Sequence, residues 1–287
     1  MPKIFSCLCI AFLLIFLLCG ISIAQEQKTF AFSHKIRYIR KSDLKHGTGD
    51  FSLSRSQISL NSTYSLFQKI PVKLGIGLEQ FNINNHSDVD LPDTLQSKNL
   101  KIGFRFPMSF TENNDLFLGF GILPSWNSAS DHSLADEAFG LDYSASVIFL
   151  KSEKFITACG VWLRPGYKNS LIPYFGFRYK PNERLTLNFL SSEPSIAYSI
   201  TDQTKVLLEF AFLSKEFDVT SGARRGDVVR ISDLEAGVGL EHAFNESFKG
   251  KLSLGLAFDQ RYEYLDANQK VSPKNSLYGA YKFNLRF

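Results

Sequence analysis

Apolar and polar residues alternate with a period of two along most of this chain. Phe30, Phe32, Ile36 and Tyr38 oppose Ala31, Ser33, Lys35 and Arg37, and Ile58, Leu60, Tyr64 and Leu66 oppose Gln57, Ser59, Asn61 and Thr63. Further on, Leu100, Ile102, Phe104, Phe106 and Met108 oppose Lys101, Gly103 and Arg105, while Leu252, Leu254, Leu256 and Phe258 oppose Lys251, Ser253, Gly255 and Asp259. A strand turns successive side chains to opposite faces, so each run predicts a β-strand with one apolar face. Beyond the first 24 residues no stretch shows helical spacing.

The connections alternate in length. Short polar turns at 67–71, 111–115, 151–154, 180–183, 201–204 and 244–247 take turns with longer segments such as NNHSDVDLPDTLQS and SKEFDVTSGARRGDV. Tight turns at one end and long loops at the other mark an antiparallel up-and-down transmembrane β-barrel. The pattern predicts an all-β fold of fourteen strands, with twelve as the alternative because RLTLNFL and SIAYSI, within 184–200, are short. A soluble sandwich would alternate too, since one face of each sheet packs a core. Against it stand the 27 Phe among the large side chains of the apolar faces, the side-dependent loop lengths, and an ending inside a strand.

That last strand, SLYGAYKFNLRF, sets Leu277, Gly279, Tyr281, Phe283, Leu285 and Phe287 on one face. In a closed barrel it must pair with the first strand, about residues 29–40, so that no edge is left in lipid. At the other end, Lys3 precedes an apolar run from Leu8 to Leu18 and small residues at Ser22 and Ala24. This is the form of a cleaved secretory signal peptide, residues 1–24, and it leaves 25–287 as a single barrel domain. The run is too short for a membrane-spanning helix, which needs about 20 apolar residues. Leu18 before Cys19 does not fit a lipid-anchored cysteine. Of four cysteines only Cys159 would remain, so no disulfide framework is expected. The net charge of +4, reduced by Lys3 to +3 and spread through the chain, shows no nucleic-acid footprint.

With the apolar face toward lipid, the other face becomes the lumen. Its candidate charged residues are Lys35, Arg37, Arg55, Lys101, Arg105, Glu209, Glu235, Glu241, Lys282 and Arg286, joined by Lys73, Glu79, Asp142, Lys251 and Asp259. Both signs occur, so the groups can pair across strands or form a constriction that selects solutes. Acidic residues on late strands and basic ones on early strands allow a transverse field. Gly75, Gly77, Gly103, Gly119, Gly121, Gly237, Gly239 and Gly255 share this face. None of the G-x-G pairs continues to a third glycine or opens a helix, so nucleotide binding is not indicated. Glycine on the concave side relieves crowding.

Catalytic signals are weak. None of His34, His46, His86, His132 and His242 has Ser two residues on, the spacing lipid-hydrolysing barrels use. His34 and His242 fall on apolar faces, where neutral imidazoles pack as small aromatics. Asp88, Asp90 and Asp93 lack the glycine and closing glutamate of a calcium loop, and Arg225, Gly226 and Asp227 are ordinary turn residues. No enzyme activity, cofactor or metal site is expected.

The final strand, apolar at every second position back from Phe287, resembles the C-terminal signature of Gram-negative outer-membrane proteins, with Tyr281, Phe283, Leu285 and Phe287 as the segment read by the barrel-assembly machinery. Residues 172–212, from IPYFGFRYKPNE to TKVLLEFAF, resemble an uncharacterised outer-membrane β-barrel family, a domain of unknown function. In that family a strand led by an aromatic or Arg and a P-x-x-x-Y strand recur; Arg184 and Pro194 to Tyr198 stand at those places. The resemblance implies a location in the outer membrane, contact with its lipids, and no established activity. The leading expectation is a passive narrow pore for small polar solutes. The alternative is a structural or surface-binding barrel acting through its outward loops, and a lipid-acting enzyme is a third reading.

Overall fold

The computed structural model describes residues 29–66, 70–111, 114–129, 138–167, 170–220 and 224–287; the proposed leader lies outside the described residues. The strands are β1 (Thr29–Asp43), β2 (Asp50–Leu66), β3 (Ile70–Asn85), β4 (Thr94–Thr111), β5 (Asn114–Ser128), β6 (Phe139–Ser152), β7 (Phe155–Leu163), β8 (Leu171–Tyr179), β9 (Leu185–Asn188), β10 (Ser195–Ser199), β11 (Thr204–Asp218), β12 (Val228–Ala243), β13 (Phe248–Tyr264), β14 (Gln269–Val271) and β15 (Ser276–Arg286).

Neighbours along the wall pair antiparallel, and β15 returns to β1 from Ala31↔Arg286 to Ile39↔Tyr278. Phe30 and Phe287 exchange backbone bonds of 3.2 and 2.9 Å at the end of that seam. The result is a closed fourteen-strand antiparallel barrel. The short β14 extends the wall beside the end of β13, where β15 has not yet begun. The start of β1 and the end of β15 lie with the tight turns, which define the inner end; the longer loops define the outer end.

The outward face is apolar through the inner and middle parts of the wall. Leu254 is 68% exposed and Phe212 64%, values that a water-facing surface would not sustain strand after strand but that a lipid belt requires. Toward the outer end the polarity inverts. Outward positions become Ser54 and Ser56 on β2, Gln80 and Asn82 on β3, Gln96 and Lys98 on β4, and Ser232 and Arg230 on β12. Inward positions become Ile39, Leu53, Phe51, Phe81, Ile83, Leu95, Phe217, Ile231 and Tyr262, all buried. These strands therefore run past the lipid belt and finish as a water-exposed sheet with an apolar interior. Six residues follow Glu79 on β3, about 20 Å of strand at 3.4 Å each.

That interior is packed. Phe81 and Phe217 meet edge to face at 5.5 Å, and Phe51 lies 4.3 Å from Tyr262. β11 leans across to β4 and β5, where Asp218 pairs with Ser128 in parallel. The outer part is thus flattened into two facing sheets, β1–β4 against β11–β13 with β15, like a small sandwich. Leu91 and Val219 from the loops cap it, and the Tyr264 hydroxyl donates to the Asp90 carbonyl at 2.8 Å.

One sequence-based placement is corrected. A bulge at Asp259, whose φ is 51°, shifts the β12–β13 register, so its carboxylate faces solvent beside Arg261 and Gln260 is buried instead.

Candidate functional site

Below the packed outer part the interior carries charge. Register puts Lys35, Arg37, Arg55, Lys101, Arg105, Glu209, Glu235, Glu241, Lys282 and Arg286 on the interior face. Most of the cross-strand contacts form at mid-height. Arg37 pairs with Glu235, both nearly inaccessible, and its guanidinium lies 4.9 Å from the Tyr278 ring. Arg55 and Lys215 both pair with Glu79, and Lys215 also donates to Ser97 Oγ at 3.1 Å. Lys251 pairs with Glu209, which accepts a further bond of 2.7 Å from Ser253 Oγ. To do so Glu209 reaches from β11 across β12, and it crosses at Gly239, where a Cβ would stand 2.9 Å from its Oε2. Opposite signs are therefore interleaved at mid-height.

The second feature is a rung of like charge. Lys282 stands opposite Lys35 on one side and Lys251 on the other, three lysines on adjacent strands facing one lumen. Like charges directly opposed repel. Lys35 is neutralised by Glu193, which the connection 189–194 tucks inward, and Lys251 by Glu209. Lys282 between them makes no ion pair among the described residues. Lys101 makes none either, while Arg105 and Arg286 are exposed toward the inner end and Glu241 lies in register with Lys205 and Lys251.

The wall from β5 to β8 bounds a different region, lined by small groups: Gly119, Gly121, Ser144, Ser146 and Gly160. Here Arg164 reaches Asp142 at 3.5 Å and stacks 4.9 Å from Trp162 and 3.6 Å from Tyr167. Burial raises the Tyr167 phenol above its ordinary range, so it stays neutral and accepts a bond of 2.8 Å from Asn127.

Glu193, Lys215, Asp233 and Arg164 escaped the sequence reading. Asp233 and Lys215 share the parity of Glu235 and Glu209 and were legible; Glu193 and Arg164 sit in connections, where period two says nothing. His34 faces outward against Tyr281 and Phe283, and His242 against Phe244 with Thr204 Oγ1 at 2.9 Å, both as packed side chains. Tyr281, Phe283 and Leu285 lie on the outward face of the seam. The described residues hold no cluster of His, Cys, Asp and Glu suited to a metal ion.

No family model matches this chain, and no curated protein does, so the resemblance of 172–212 to an uncharacterised family gains no support. Among solved structures the chain is similar to an outer-membrane channel from Pseudomonas putida F1, with 11% identity, a TM-score of 0.49, and 92% of this chain and 98% of that one covered. It is similar also to the translocator domain of the autotransporter NalP from Neisseria meningitidis (9%, 0.35, 93% and 92%) and to a TodX monoaromatic hydrocarbon channel mutant (8%, 0.42, 93% and 92%). At such identities and scores these neighbours lend this chain no activity.

Proposed function

We propose that this chain is an outer-membrane protein, exported by a cleaved leader and inserted by the barrel-assembly machinery, that serves as a narrow passive pore for small polar solutes with a preference for anions. The rung Lys35, Lys282 and Lys251 carries this reading. Three ammonium groups face the lumen on neighbouring strands, and among the described residues only two form an ion pair, so the rung favours an anion at the level where the interior is narrowed by ion pairs. The axial path ends against the packed outer part. The solute path runs instead along the small residues of β5 to β7, where there is less side chain to displace. Current through planar bilayers holding the refolded barrel tests the proposal: anion-selective current supports it, and no current at either polarity refutes it.

One observation favours a second reading. The outer sandwich carries the loop 86–93, the described ends of the 219–227 connection and the β13–β15 connection that holds β14, all on an apolar-cored base beyond the lipid belt, as a surface-binding barrel would. Shortening those loops would then abolish binding to a partner while leaving assembly and conductance intact.

A further inference from the structure

The fourteen staves are unequal, and the wall is incomplete where they are shortest. The β9–β10 hairpin, four and five residues long, fills only the inner part of the space between β8 and β11. Its ladders end at Phe189 N–H to Phe177 O, 2.8 Å, and Phe210 N–H to Pro194 O, 2.9 Å. Beyond these rungs, β8 from Leu171 to Gly176 and β11 from Ala211 to Phe217 have no strand on their facing edges among the described residues. β11 has turned away toward β4 and β5. Among the described residues its facing edge receives Arg164, whose Nη1 donates to Ser214 O at 3.5 Å.

Unpaired backbone is costly in hydrocarbon, which is why spanning barrels close; it is kept where it borders a cavity. The inner part of the rim, up to Phe212 on β11 and along β8, lies within the apolar belt: Leu171 is 58% exposed, Phe175 72% and Phe212 64%. Its sill is the connection 189–194, and Glu193 at the sill is the partner of Lys35. A recess runs inward from Phe210 and Ala211 to the lysine rung. Its ionic lining is Lys35, Arg37, Lys251 and Lys282 against Glu193 and Glu209, with Arg37 already held by Glu235.

We propose that this gap is a lateral port through which single-chain anionic amphiphiles pass between the lipid and the lumen. The alkyl chain lies along the apolar rim, and the carboxylate takes Lys282 and displaces Glu193 from Lys35. The proposal deepens the pore reading, resting on the same lysine rung, and names a second substrate class and entrance for it. Binding does not require conduction: a barrel silent in bilayers that still binds refutes the pore alone, and a conducting barrel that does not bind refutes the port alone.

The test uses the full mature chain in lipid nanodiscs, with Trp126→Phe so that Trp162 on the inner face of β7 is the one remaining tryptophan. The probe is dodecanoate brominated at its tail, which quenches indole fluorescence on contact. The expected result is saturable quenching of Trp162 that Lys282→Gln weakens about tenfold, the loss of one charge-assisted contact. Glu193→Gln, by freeing Lys35, tightens it several-fold, and Lys270→Gln on β14 leaves it unchanged. The opposite signs of the two interior variants separate the port from a general loss of folding. Quenching that rises without saturation, equals that by brominated dodecanol, or has one affinity in all variants overturns the proposal, as does a dimer formed through the two open edges.

Discussion

Lys215 on β11 donates to the carboxylate of Glu79 on β3, joining strands that belong to facing sheets rather than to neighbours in the wall. This contact sits at the floor of the packed outer part, and Arg55 shares the same carboxylate. It marks the level at which the interior changes from charge to hydrocarbon.

Removing the shared carboxylate should be more damaging than removing either cation. Glu79→Gln leaves Arg55 and Lys215 facing each other in a buried space, and breaking a buried pair on one side costs about 3 kcal/mol. Lys215→Met, whose ammonium is partly solvated, should cost less. Urea unfolding in micelles followed by tryptophan fluorescence measures both, and equal midpoints for wild type and Glu79→Gln would contradict the assignment.

The packed outer part predicts a second pattern. Phe81→Ala and Phe217→Ala should each cost about 3–5 kcal/mol, as for other buried aromatics. Because the two rings touch, the double variant should cost less than the sum. Phe212→Ala, whose ring faces lipid, should barely move the same midpoint.

The barrel itself was legible in the sequence because a period of two ran through most of each long strand, and the weak count at 184–200 was a physical fact: β9 and β10 are the shortest staves. What stayed hidden was the inversion of polarity. Glu79, Phe81 and Ile83 share one parity, so the lumen face turns apolar within four residues, but an alternation test scores Phe81 as merely out of phase. Glu193 and Arg164 were invisible because they act from connections, and Asp259 because one bulge residue resets the parity of all that follow.

The position of the lipid belt gives a third test. Arg at Leu254, in the belt, should destabilise the inserted barrel by about 2–4 kcal/mol. Arg at Asn82, outward but beyond the belt, should stay within about 0.5 kcal/mol of wild type, as surface changes do. Unfolding from lipid vesicles distinguishes them, and similar losses at both positions would remove the inversion from the account.

The seam supplies a fourth. Phe287 exchanges both backbone bonds with Phe30, and Phe283 packs 5.8 Å from Phe32 and 5.3 Å from His34. Deleting Phe287 should lower the assembled, heat-modifiable fraction in membranes far more than Asn284→Ala, whose side chain faces the lumen. Equal assembly of the two variants would count against the proposed role of Tyr281, Phe283, Leu285 and Phe287.

The proposed pore has a narrow anion-favouring interior closed axially by the Phe81 and Phe217 packing. Single-channel recording of the wild type beside Phe81→Gly/Phe217→Gly tests it most directly. The expected result is a small anion-selective current in the wild type that rises several-fold in the double variant. A silent wild type at both polarities, or a large cation-selective current unchanged by the two substitutions, would contradict it.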